Sequence, residues 1–150
     1  MGDMADEGIA PSALAAAQEV RAVIGRVRRR IREATRGEDL TPSQTAVVTR
    51  LDRDGPMSAS DLAAAERVRP QSMAAWLSAL DEHGWIERRP DPDDGRRQLI
   101  SLSETGRAQL TDGRRERSEW LARVLNDEYS EQERQQILDA MALLDRLTRS

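Results

Sequence analysis

Cysteine is absent from the 150 residues, so a disulfide framework, a thiolate redox switch and a zinc–thiolate site are all excluded. Lysine is absent too, and all 23 basic residues are Arg. That reads as compositional bias of the genome, although Arg also suits phosphate and base contacts. Histidine occurs once, at His83 beside Glu82, with no second His or any Cys to complete a metal or general-base set. A capping or surface role is expected for it. Asp91, Asp93 and Asp94 lack the spaced ligands and closing Glu of a calcium loop. Ser72 has no general base in a recognisable motif, and no Gly-rich phosphate loop occurs. The expectation is therefore no catalytic site, no metal and no cofactor. No apolar run approaches the ~20 residues of a membrane span, no signal-peptide core is seen, and Asp6 stands where myristoylation would need Ser or Thr. A soluble cytoplasmic protein is expected.

Charge is plentiful, at 33% of residues, while 38% apolar content is somewhat low for a self-sufficient globule of one domain. Some apolar surface is expected to be completed by a partner chain. The net charge of −4 argues against a general nucleic-acid binder. Specific binding would need positive charge gathered on one face, because acidic residues slightly outnumber Arg even between Ser58 and Leu102.

That stretch organises the chain. Ser58 is placed as an N-cap with Asp61 three residues on, flanked by Met57 and Leu62 at the positions of a hydrophobic staple, so a short helix is predicted to about Arg67. Pro70 suits the first turn of the next helix, in which Met73, Trp76, Leu77 and Leu80 recur at helical spacing and Gln71, Ser72 and Ala75 face outward. Gly84 stops this helix. Trp85–Arg89 has strand character up to Pro90, Gln98–Leu102 is its partner, and the Asp-Gly at 94–95 marks a hairpin tip with Arg96 and Arg97 on the return side. Helix, turn, helix and hairpin in that order describe a winged helix-turn-helix, which places the start of its second helix in the DNA major groove and its wing near the minor groove.

Val68–Met73, Leu80–Ile86, Asp94-Gly-Arg96 and Leu102-Ser-Glu-Thr-Gly106 together resemble the MarR (multiple antibiotic resistance regulator) family of bacterial transcription factors. The Asp-x-Arg of the wing and the Leu-Ser-x-x-Gly that opens the following helix are the most specific parts, and the likeness covers roughly residues 40–110. Trp76 departs from it in bulk. The resemblance implies an obligate homodimer on a pseudo-palindromic operator, often released by a small-molecule or oxidant signal.

Residues 1–10 read as a frayed tail and residues 11–150 as one domain. A first helix begins at Pro11, carries Val20, Val23, Ile24, Val27 and Ile31, and is expected to stop at Gly37. Its Arg-rich end, Arg26 to Arg32, is either a solvated face or a site for phosphate or an anionic ligand. Thr41-Pro-Ser-Gln44 is a capping box opening a helix to Asp54. After the wing, Ser103 caps a long helix to about Asn126 whose middle, residues 111–119, has no apolar residue and so should bridge two lobes. Ser130-Glu-Gln-Glu133 opens a last helix with Ile137, Leu138, Met141, Leu144 and Leu147. The predicted fold is mainly α with a small β-hairpin wing. Residues 41–103 form the DNA-binding lobe, and residues 11–37 and 104–150 form a dimerisation module.

The expected function is a sequence-specific DNA-binding transcriptional regulator, a repressor, acting as a homodimer on double-stranded DNA. The alternative is a winged-helix protein-interaction module. Arg69, Gln71 and Ser72 are the candidate base readers, with Ala75 beside them, and Arg96 is the minor-groove candidate. Arg97, Arg67, Ser58 and Ser60 are candidate phosphate contacts, and Asp94 ties down the wing beside Arg96. Without a thiol, release should come from a small anionic or phenolic effector.

Overall fold

A computed structural model of the protein describes residues 8–35 and 40–149. Most of the frayed tail and the Gly37 helix stop lie outside the described residues. Two compact units are present, residues 37–116 and residues 1–36 with 117–150.

The first unit holds the winged fold. Helix α2 (Pro42–Asp54) starts from a complete capping box: the Gln44 amide donates to Thr41 Oγ1 and the Thr41 amide to Gln44 Oε1, so two otherwise orphaned N–H groups are satisfied. Strand β1 (Met57–Ser58) leads directly into α3 (Ala59–Glu66), and α4 (Pro70–Glu82) follows after a three-residue turn. Arg67 in that turn adopts a left-handed conformation, φ 55° and ψ 45°. Strands β2 (Ile86–Pro90) and β3 (Gln98–Leu102) make the wing.

The sheet has the order β1-β3-β2, antiparallel throughout, with Ile86 opposite Leu102, Pro90 opposite Gln98, and Met57 opposite Ile100. Two details differ from the expectation of a plain hairpin. The third strand is one, and it arises because Met57 and the α3 cap itself, Ser58, extend along β3. The other is that β2 runs one residue later, leaving Trp85 outside and ending on Pro90, which an edge strand tolerates because its missing N–H is not needed there.

One core fills this unit: Val47, Val48 and Leu51 of α2, Leu62 and Ala63 of α3, Met73, Leu77 and Leu80 of α4, then Trp85, Ile86, Ile100, Leu102 and Leu110. Trp76 is only half-buried, packing on the core from its edge. The start of α5 (Glu104–Glu128) closes it. There the Ser103 hydroxyl accepts from the Gly106 amide and donates to Gly84 O, and the Ser103 amide donates to Trp85 O. A Cβ on Gly106 would stand 2.2 Å from Trp85 O, so no larger residue fits without moving backbone. That close approach explains the glycine of the Leu-Ser-x-x-Gly motif.

The second unit holds α1 (Pro11–Ala34), the rest of α5, α6 (Glu131–Asp145) and a 3₁₀ turn, Arg146–Arg149. The boundary between the units falls inside the polar stretch of α5. Helix α6 opens with a second full capping box, Ser130 amide to Glu133 Oε2 at 2.8 Å and Glu133 amide to Ser130 Oγ at 3.2 Å. Accepting that backbone N–H holds the Glu133 carboxyl below its ordinary range. Arg134 donates to the carbonyls of Leu125 and Tyr129 while Glu131 holds its guanidinium, capping the end of α5. The Arg30 guanidinium lies 5.9 Å from the centre of the Trp120 ring. Neither α1 nor α6 contains a buried residue.

Candidate nucleic-acid interface

Helix α4 owes its shape to its sequence. Pro70 at its first position has no N–H to leave unpaired, His83 ends it with Nδ1 against Ala79 O at 2.8 Å, and Gly84 follows at φ 73°. With Met73, Leu77 and Leu80 turned into the core, Gln71 and Ala75 are exposed and Ser72 is half-buried. Ala74 and Ser78 are exposed on the same helix. They were absent from the expected set, although extending the outward positions from Gln71 by three and seven residues finds both. Arg69, the N-cap, makes no side-chain cap and is exposed.

The wing is built by side chains on backbone. Asp94 Oδ1 accepts from the Arg96 amide at 3.1 Å and Asp91 Oδ1 from the Asp93 amide at 2.9 Å, while the Asp91 amide donates to Arg97 O. Asp94 thus holds Arg96 through its main chain, leaving the guanidinium unengaged.

The two Arg of the wing have different fates. Arg97 Nη2 donates to Ser58 Oγ at 2.8 Å and to Asp61 Oδ2 at 2.6 Å. Ser58 Oγ also accepts from the Asp61 amide at 3.1 Å, and Ser58 is only 3% exposed. The buried Ser58 hydroxyl thus accepts two bonds, capping α3 and holding Arg97, and Arg97 is bound to α3 rather than projecting freely from the wing. Asp61 faces Arg97 from the first turn of α3. Ser60, at the second position of α3, is exposed.

Charge is sorted accordingly. Arg50 pairs with Glu66, Arg53 with Asp54, Arg88 with Asp81, Arg89 with Glu87 and Arg114 with Asp52. The Arg53 hydrogen bond keeps the Asp54 carboxyl below its usual range. Among the described residues of this unit, Arg67, Arg69, Arg96 and Arg107 have guanidinium groups with no hydrogen bond or ion pair. Three of these four flank the start of α4 or tip the wing. The net negative charge of the chain is therefore compatible with free cations at those places. Among the described residues no three His, Asp or Glu side chains gather as a metal site would require, and no helix is long and apolar enough to cross a membrane.

Residues 40–97 match a family described as the MarR family. A helix-turn-helix type transcriptional regulator of Mycobacterium bovis is 37% identical over 109 residues, covering 73% of this chain and 76% of that protein. A crystal structure of a transcriptional regulator protein from Pseudomonas aeruginosa superposes with a TM-score of 0.84 at 35% identity, over 95% of this chain and 99% of the other. A mutant of Staphylococcus aureus MepR bound to an oligodeoxyribonucleotide shares the fold, with a TM-score of 0.67 at 20% identity over 87% and 96% of the two chains.

Proposed function

We propose that this chain, which belongs to the MarR family of transcriptional regulators, works as a homodimeric repressor that reads a pseudo-palindromic operator with α4 and the wing and is released by a small ligand. The observation that carries the DNA-reading part is the set of guanidinium groups left without partners, Arg67 and Arg69 at the start of α4 and Arg96 at the wing tip, beside exposed Gln71. Gln71 pairs with adenine and Arg69 with guanine in the major groove, Ser72 and Ala75 complete that contact, and Ser60 and Arg67 hold phosphates. Arg96 enters the minor groove, with Asp94 fixing its main chain.

The dimer is supported by apolar residues that the single chain leaves open. Val23, Ile24 and Val27 of α1 are 43–47% exposed, and Leu138, Met141, Leu143 and Leu147 are 51–66% exposed. Covering an aliphatic side chain of this size contributes roughly 1.5–3 kcal/mol when complete, so a partner copy burying both stripes has ample driving force. On this reading residues 11–37 and 104–150 serve dimerisation and residues 41–103 serve DNA. Arg26, Arg28, Arg29 and Arg32 are exposed in α1 with no side-chain partner among the described residues, which supports an anionic or phenolic effector.

Selection of bound duplexes from a random pool, followed by titration of the enriched site, tests the proposal. The expected result is an inverted repeat with half-sites about one helical turn, ~34 Å, apart. A pool that stays random after repeated rounds would refute it.

A further inference from the structure

We propose that Arg97 is a positioning residue: it pins the return side of the wing to the head of α3 and cancels the Asp61 carboxylate there, leaving Arg96 as the wing's DNA-reaching cation. The proposal rests on the DNA-binding reading above and deepens it.

Two adjacent Arg residues at the tip of one hairpin would ordinarily be taken as two phosphate ligands. Their surroundings separate them. One terminal nitrogen of Arg97 is shared between a buried hydroxyl and a carboxylate, Ser58 Oγ at 2.8 Å and Asp61 Oδ2 at 2.6 Å, groups 39 and 36 residues away in the chain. Ser58 is at once the end of β1, paired with Leu99, and the N-cap of α3. A single guanidinium therefore ties β1, α3 and the start of β3 together. On the outgoing side Arg88 reaches Asp81 of α4 at 3.3 Å. The hairpin is thus tethered on both strands to the two helices of the helix-turn-helix, and Arg96 rides on a loop closed by its own Asp91 and Asp94 contacts.

Electrostatics supply the second half of the argument. Asp61 lies in the first turn of α3, where a carboxylate is favoured by the helix dipole but opposes an approaching phosphate. Arg97 offsets that charge in place. Both side chains are roughly half exposed, at 44% and 56%, and an exposed pair of this kind adds little to folding. Its effect is expected when a polyanion arrives.

A double-mutant cycle on the full-length protein and its selected duplex tests this, with Arg97→Ala, Asp61→Asn and both together. Arg97→Ala should weaken binding about tenfold, the scale of an uncompensated like charge plus a loosened wing. Asp61→Asn should bind as well as the parent or more tightly. The double variant should return to within about threefold of the parent, since the repelling charge is gone. Should Arg97→Ala fold poorly, Arg97→Gln keeps a donor for Ser58 without the charge and gives the same comparison. A double variant as weak as Arg97→Ala would overturn the proposal and make Arg97 a direct phosphate ligand. Failure of the parent chain to bind any duplex would instead remove the DNA-binding reading, and this inference with it.

Discussion

The two compact units bury apolar residues in opposite measure. Residues 37–116 enclose every buried apolar side chain found among the described residues, whereas α1 and α6 of the other unit enclose none. The sequences of both carry apolar residues at helical spacing, so periodicity alone does not tell a core from an unmet interface. What separates them is the number of elements available to cover a stripe. The winged unit presents three helices and a sheet to one another, and the apolar face of each meets the next. The terminal helices have apolar faces in excess of what one chain covers.

The sharpest way to break this contrast is to remove volume from the closed core. Leu77, 1% exposed, is the probe: Leu77→Ala should cost about 2–5 kcal/mol, because the surrounding helices and sheet collapse only partly into the hole. Thermal unfolding should show the loss equally at every protein concentration. In α6 the contrasting change is Leu138→Asp, at a side chain 61% exposed in the single chain. It should leave secondary structure intact while raising the dimer dissociation constant by one to two orders of magnitude, about 1.5–3 kcal/mol of lost apolar burial. Sedimentation velocity across a dilution series reads this, and an unchanged dimer would show that α6 is not in the interface. Leu138 serves better than Leu144, which is already half-buried within the chain and would perturb both states.

Within the winged unit, a smaller effect distinguishes base reading from backbone contact. Gln71→Ala should cost on the order of 1–3 kcal/mol on the preferred operator and much less on a duplex changed at the one base pair it reads. Arg96→Ala should weaken all duplexes alike and make the salt dependence shallower by up to ~0.9 in log–log slope. Equal losses for Gln71→Ala on every sequence would deny α4 the role of reader.

The least effect belongs to pH. Glu133 is depressed in the folded state by its hydrogen bond from the Ser130 amide, so its contribution is present above the ordinary Glu range, about 4.3, and fades as pH falls through the lowered value. Amide exchange at the start of α6 should quicken below that point. Glu133→Gln, which keeps an acceptor but cannot titrate, should flatten the dependence.

Much of this was written locally. Both capping boxes, the bounds of α2 and β3 and the inward face of α4 follow from residues within one or two turns of each other, where capping and periodicity operate. The parts that stayed hidden depend on distant pairings. Met57 and Ser58 look like a helix lead-in, and only the meeting with Leu99 and Ile100 makes them a strand. Arg97 looks free until Asp61 is brought beside it. In α6, Ile137 and Leu144 are half-buried while Leu143 is exposed, a choice within a broad apolar stripe that nearest-neighbour spacing does not decide. Ser58 shows the same limit at the site: its type suits a surface contact, and only the fold shows that it is buried.

Arg67 carries a last consequence, for anyone who would engineer this protein for heat resistance. It holds φ 55° without being glycine, a conformation that costs a side-chain-bearing residue roughly 1–2 kcal/mol. A stabilisation campaign would choose Arg67→Gly early, relieving that strain at an exposed turn where nothing else is lost from the fold. The same change deletes an unpaired cation at the entrance to α4. The variant should melt higher and hold DNA less well, so a screen scored on melting temperature alone would select away the activity it was meant to protect.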